Sequence, residues 1–313
     1  MTPISIAIIG VGKIALDQHL PVVAKNPRFK LAALVSQRGV AQPGVPTFAT
    51  PGELYKALPD LAAVAICTPP NVRHAIAREA LDAGKHVLLE KPPAPTLAEM
   101  HDLSFYASAC RRVIFATWHS RYNEAVDVAR DRLRGQKIRA MRVNWREDVR
   151  RWHPGQDWIW DAGNFGVFDP GINALSIVTK ILPGACFVKS ATLHYPANRD
   201  TPIAASLQLR CVAQESAQAC LSAEFDWRQQ GEQSWTIDVE TPREKLTLTH
   251  GGSRLFLNGA AMIDKPMREY EAIYAHFAEL LDAGTGEMDR EPFQLVADAF
   301  LVGGRRSVEA FDW

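Results

Sequence analysis

The six residues Gly10-Val11-Gly12-Lys13-Ile14-Ala15 constrain this chain more than any other segment. They sit between a β-branched apolar run, Ile4 to Ile9, and a helical pattern from Lys13 to Ala24, so the order is strand, tight turn, helix. In a G-x-G-x-x-A turn the first glycine permits the sharp bend and the second leaves room for a pyrophosphate against the backbone. The small Ala15 lets helix pack closely on strand. Unpaired amides at the helix start then face the anion. In isolation the same letters are often an ordinary glycine turn. Their place after a first strand and before a helix and second strand points instead to a dinucleotide, with Gly10, Gly12, Lys13 and Ile14 as cofactor contacts.

The alternation continues. Apolar runs at Leu31 to Val35, Leu61 to Cys67, His86 to Leu89 and Val113 to Thr117 read as strands. Between them lie helices, one capped by Asn71 and ending near Gly84, another opened by the capping box Thr96 with Glu99 and running to about Cys110. Strands apolar on both faces and separated by helices predict an α/β fold, a doubly wound parallel Rossmann sheet over residues 1–120. After residue 120 a helix from Asn123 to Leu133, a strand near Ile138 to Trp145, an aromatic loop and a helix from Pro170 precede long alternating segments. These are Phe187 to Leu193, Ala204 to Val212, Gln218 to Phe225, Ser234 to Val239 and Lys245 to Thr249, and helices over Met267 to Leu281 and Pro292 to Ala310 close the chain. Residues 121–313 are therefore expected to form an α+β domain with a large, open, mainly antiparallel sheet, for substrate binding and oligomerisation.

Charge excludes one class of partner. Lys+Arg and Asp+Glu number 35 each in 313 residues, for zero net charge, whereas a nucleic-acid-binding chain needs a clustered basic surplus. No apolar run approaches the 18 or so residues of a membrane span, and the N-terminus shows no basic-then-apolar leader, so a soluble cytoplasmic protein is expected. The cysteines Cys67, Cys110, Cys186, Cys211 and Cys220 contain no C-x-x-C pair and read as reduced core residues.

The end of the second strand reads Val35-Ser36-Gln37-Arg38. A site preferring NAD offers an acid to the ribose hydroxyls here; a hydroxyl and a guanidinium suit a 2′-phosphate. This predicts NADP as preferred cofactor, with some use of NAD, through Ser36 and Arg38; the alternative leaves Arg38 in solvent. Glu90-Lys91-Pro92-Pro93 follows the fourth strand, placing Lys91 at the carboxyl edge of the sheet where ligands bind. There a lysine can exchange a proton with a substrate oxygen, unless it is only a surface partner of Glu90. Cys67-Thr68-Pro69-Pro70 ends the preceding strand at the same edge and either walls the nicotinamide or merely stops the strand.

Gly10-Val11-Gly12, Cys67-Thr68-Pro69-Pro70 and Glu90-Lys91-Pro92 together resemble the Gfo/Idh/MocA oxidoreductase family, over essentially the whole chain. Within it, Trp118-His119-Ser120-Arg121, the run Glu147 to Gln156 and Phe168-Asp169-Pro170-Gly171-Ile172-Asn173-Ala174 are similar to the branch that oxidises C1 of L-arabinose, D-galactose or D-fucose to the lactone with NADP or NAD. Many family members carry an Asp followed four positions later by His; here the pair is Asp169 and Asn173. Asparagine cannot titrate, so the resemblance implies Lys91 and Asp169 as the catalytic pair, with His119, Glu147, Trp152, His153 and Asn173 binding the sugar.

Each of these has a plainer explanation. Asp169-Pro170 is what a helix N-cap followed by proline looks like, and His153 is open to a loop-holding role. Glu147 sits among arginines, and core packing is expected to claim at least three of Trp118, Trp145, Trp152, Trp158 and Trp160. The spacing of His119, Glu147, His153 and Asp169 fits no compact ligand pattern, so no metal is expected. Two other functions stay open, oxidation of a ring hydroxyl of another sugar or cyclitol, and a non-catalytic NADP-binding regulator on the same fold. An open sheet with one uncovered face commonly needs a partner, which predicts a homo-oligomer, a dimer.

Overall fold

The computed structural model describes residues 2–212 and 219–312, and the chain divides into two compact units. The first comprises Met1–His119 together with Arg268–Arg290, the second Ser120–Met267 and Glu291–Trp313. A single cut at residue 120 does not anticipate the return of Arg268–Arg290 to the first unit.

In the first unit, β1 (Ile4–Ile9), β2 (Phe29–Val35), β3 (Thr47–Phe48), β4 (Ala63–Ile66), β5 (His86–Leu89) and β6 (Ile114–Ala116) form one sheet in the order β3-β2-β1-β4-β5-β6. Every pairing is parallel, which is the Rossmann order. The central strands are buried on both faces, as the unbroken apolar runs require: Val64, Ala65 and Ile66 are fully inaccessible. Helices α1 (Leu20–Lys25, continuing a π-type segment Ala15–His19), α2 (Pro51–Ala57), α3 (Pro70–Asp82) and α4 (Leu97–Ala109) connect the strands. Thr96 caps α4 by accepting from Glu99 N at 3.2 Å. Asn71 does not cap α3: the helix starts one residue earlier, on Pro70 at N1 with Pro69 as its cap, because proline's fixed φ suits that position.

The second unit is built on a nine-stranded sheet, order β14-β13-β12-β11-β7-β10-β9-β8-β15. Its strands are β7 (Ala140–Arg146), β8 (Cys186–Pro196), β9 (Ala204–Cys211), β10 (Cys220–Asp226), β11 (Ser234–Glu240), β12 (Lys245–Thr249), β13 (Arg254–Leu257), β14 (Ala260–Asp264) and β15 (Gly303–Val308). Only β7 with β10 and β8 with β15 pair in parallel; the other neighbours are antiparallel. The expected strand start at Gln218 lies outside the described residues. Helices α5 (Glu124–Leu133), α6 (Val149–Trp152), α7 (Phe168–Ile181) and α9 (Glu291–Val302) belong to this unit, and α8 (Glu269–Ala283) to the first.

Two expectations fail here. The last helix stops at Val302 rather than Ala310, and Gly303–Val308 adds to the sheet beside β8. A Cβ on Gly303 would lie 2.4 Å from the Ala299 carbonyl oxygen, so the close approach tolerates only glycine. Cys220 is exposed rather than core. Among the described residues no helix is long and apolar enough to cross a membrane.

Candidate active site

In the first unit the glycine turn is packed by its neighbours on one side and open on the other. Gly10 takes a φ of +89°, and a Cβ there would meet Thr68 Cγ2 and N at 2.8 Å. At Gly12 a Cβ would meet nothing within 4 Å. The protein itself therefore requires glycine at position 10 but leaves the space over position 12 for a ligand. The buried Thr68 Oγ1 beside the turn has no hydrogen-bond partner in the structure. An open cradle at a helix start and an unused hydroxyl at its rim fit a dinucleotide pyrophosphate. Lys13 lies exposed and pairs with Asp17 one helical turn on, and Ile14 is half-buried beside it.

Ser36 is buried, and its Oγ accepts from Val40 N at 3.1 Å, closing the turn after β2. Arg38 projects from that turn and is exposed. Cys67 is buried at the end of β4, and Pro69 and Pro70 lead into α3.

Arg73, which sequence reasoning missed, ties these loops together. It is 5% exposed; its Nε donates to Thr68 O at 2.6 Å, and its Nη1 to Glu90 O at 2.6 Å and to Pro92 O. The Glu90 carboxylate is also buried. His19 Nε2 and Tyr270 OH both donate to its Oε1, at 2.9 and 2.7 Å, and the Lys91 amide donates to its Oε2 at 3.1 Å. His19 Nδ1 meets the Tyr274 hydroxyl at 2.8 Å. Burial would raise the Glu90 pKa, but the hydrogen bond and charge of His19, with His119 and Arg73 nearby, bring it down to about 2. Burial likewise works against protonating His19, yet Cys67, Tyr274 and Glu90 hold it well above 6.5. His119 lies over the Tyr270 ring at 6.0 Å and its Nδ1 donates to Glu269 Oε2 at 2.9 Å. Burial lowers its affinity for a proton, and Glu269 more than restores it against the opposing charge of Lys91.

The second unit gathers the remaining candidates. Glu147 follows β7 and is 6% exposed, and each carboxylate oxygen takes an indole: Trp227 Nε1 at 3.3 Å and Trp235 Nε1 at 2.9 Å. Trp152 packs against Trp235 with ring centroids 5.4 Å apart. His153, just past α6, has Nδ1 3.4 Å from Gln156 Oε1 and Nε2 3.4 Å from Asp169 Oδ2, with the Trp227 ring 5.3 Å away. Asp169 is not a cap. The N-cap of α7 is Val167, so Asp169 falls inside the first turn, where the positive end of the helix dipole favours a carboxylate. Asn173, one turn later, shares its face. Trp118, Trp145 and Trp160 are core residues, whereas Trp158 is 38% exposed. Among the described residues no group of three or more His, Cys, Asp and Glu is arranged to hold a metal.

Residues 4–116 match an oxidoreductase family with an NAD-binding Rossmann fold. Over 313 residues, 99% of each chain, the sequence is 44% identical to a galactose 1-dehydrogenase from Pseudomonas fluorescens. The crystal structure of a D-galactose-1-dehydrogenase from Rhizobium etli superposes with a TM-score of 0.95 at 49% identity, covering 100% of this chain and 99% of that one. A 3-ketoreductase from Actinomadura kijaniata, in complex with NADP, shares the fold at a TM-score of 0.78 and 16% identity, over 98% and 100% of the two chains.

Proposed function

Because the chain belongs to the Gfo/Idh/MocA oxidoreductase family, we propose that it is an NADP-preferring aldose 1-dehydrogenase. It oxidises C1 of D-galactose, L-arabinose or D-fucose to the lactone. The observation that carries this reading is the whole-length likeness to a galactose 1-dehydrogenase. The pairing of His153 with Asp169, which is not the N-cap of its helix, agrees with it.

When bound, NADP supplies the acceptor for the hydride that leaves C1. The chain's own residues do the rest. Backbone amides of the Gly10–Ala15 turn hold the pyrophosphate, and Ser36 and Arg38 take the 2′-phosphate. The C1 hydroxyl must lose its proton as C1 is oxidised. We assign that proton to Lys91 and Asp169. His153 holds Asp169 in place, while Asn173 and Trp152 bind ring hydroxyls and the apolar sugar face. Glu147 contributes by fixing two indoles, and His119 by its place near Lys91. The sheet of the second unit supports a homodimer, since β9 and β12 alternate buried and more accessible residues and so leave one face uncovered.

Measuring kcat/KM for a panel of aldoses and polyols with NADP and NAD tests the assignment. A lactone that hydrolyses to an aldonic acid supports it. A keto sugar would move the reaction to a ring hydroxyl, and no NAD(P)H formation with any sugar would leave only a binding protein.

A further inference from the structure

We propose that His19, Glu90 and Tyr270 are positioning residues that fix the backbone of Lys91 for the proton step. The inference rests on the reading of Lys91 given above, and it adds residues from the first helix and from α8 to that chemistry.

The peptide groups around Lys91 are held from two directions. On one side Arg73 takes the carbonyls of Glu90 and Pro92, the residues flanking Lys91. On the other, the Lys91 amide donates to the carboxylate of its own neighbour, Glu90. That carboxylate is itself held, because Glu90 Oε1 receives both His19 Nε2 and Tyr270 OH. The Tyr274 hydroxyl then meets the remaining ring nitrogen of His19, which leaves the imidazole one orientation. The four side chains are 0–4% exposed, so water does not loosen the set.

Packing alone does not account for this arrangement. Burying an ion pair costs more in desolvation than apolar residues of the same volume would, so such a pair is weak evidence of a stabilising device. Leucine and phenylalanine at these positions would join α8 to the sheet as well. What they would not do is hold the Lys91 amide. A displacement of the reacting group by about 1 Å costs on the order of a hundredfold in rate, which is the benefit the network secures.

The test uses Tyr270→Phe, Glu90→Gln, His19→Gln and His19→Ala in the full chain, beside Lys91→Ala. The reading of Lys91 is checked first: the wild type must oxidise an aldose and Lys91→Ala must lose kcat by about a hundredfold or more. If Lys91→Ala stays active, that reading fails and this one with it. Given the loss, Tyr270→Phe and Glu90→Gln are expected to lower kcat by about tenfold with the KM for sugar and the Kd for NADPH, followed by fluorescence, little changed. His19→Gln, which keeps a side-chain N–H, should recover activity relative to His19→Ala. A readout independent of turnover is amide hydrogen exchange of the peptide containing Lys91, which should quicken by about tenfold in Tyr270→Phe. Unchanged kcat and unchanged exchange in Tyr270→Phe and Glu90→Gln would overturn the proposal. So would a kcat loss matched by an equal loss of NADPH affinity, because that would make the network part of cofactor binding instead. A variant that fails to fold is replaced by Tyr270→Phe, which removes a single oxygen, and its exchange rate decides.

Discussion

His153 Nε2 lies 3.4 Å from Asp169 Oδ2, with Gln156 Oε1 the same distance from the other ring nitrogen. The imidazole sits between two acceptors and faces the carboxylate, and the two side chains are 16% and 18% exposed. Asp169→Asn keeps the shape and removes the proposed proton acceptor, so kcat for the best aldose should fall by about 10²–10⁴ with NADPH binding unaltered. His153→Asn should cost less in kcat and more in KM. Steady-state kinetics with a fluorescence titration of NADPH separates the two, and an Asp169→Asn variant with near-parental kcat would remove this residue from the chemistry.

The proposed preference for NADP rests on the turn after β2. With Ser36 buried and Arg38 exposed beside it, no acid is present between Val35 and Gly39 to meet ribose hydroxyls. Ser36→Asp with Arg38→Ala installs a repelling charge and deletes an attracting one. A charged hydrogen bond contributes roughly 1.5–3 kcal/mol, so the ratio of kcat/KM for NADP over NAD should fall by about 10–100-fold. A ratio unchanged from the parent would place the 2′-phosphate elsewhere.

What the sequence disclosed and what it hid divide along the range of the interactions. Gly10, Gly12 and the strand ends carrying Thr68 and Lys91 were legible because one local pattern, strand, turn and helix, fixes them all. Without the family resemblance Asp169 read as a cap, since Asp-Pro satisfies that rule so well; the helix begins two residues earlier, on Phe168 after Val167, and the carboxylate is turned to His153. Tyr270 was invisible for another reason. It stands 180 residues from Glu90, and an i,i+4 tyrosine pair on an amphipathic helix gives no sign of which buried carboxylate it will meet. Trp227 and Trp235 lie on separate segments and are joined through Glu147. β15 was hidden because the last helix was read straight through Gly303-Gly304 to Ala310, whereas the chain turns there to run beside β8.

The pKa shifts of Glu90 and His19 fix how stability varies with pH. Glu90 falls from 4.5 to about 2 on folding, so its contribution is present above pH 4.5 and is lost as pH drops towards 2. His19 is raised on folding, so its contribution is complete below pH 6.5 and is lost as pH climbs through its higher folded value. Thermal melts should therefore show the wild type's advantage over Glu90→Gln shrinking between about pH 4.5 and 2, and its advantage over His19→Gln shrinking on the alkaline side. An advantage of constant size from acid to alkaline pH would mean that neither group changes its proton affinity on folding.

Glu147 offers a test in which activity and stability move together. Its carboxylate accepts from the indole N–H groups of Trp227 and Trp235, and satisfying both takes a group with two accepting oxygens. Glu147→Gln places an amide N–H against one indole and leaves that donor buried and unsatisfied; Glu147→Ala strands both. At roughly 1–3 kcal/mol for each unsatisfied donor, Glu147→Ala should lower Tm by about 4–8 °C, Glu147→Gln by about half as much. Because Trp227 flanks His153 and Trp235 flanks Trp152, loosening the indoles should raise the KM for sugar while leaving that for NADP unchanged. Equal Tm values for the parent and Glu147→Gln, with an unchanged KM, would show that the carboxylate is not what holds the two rings.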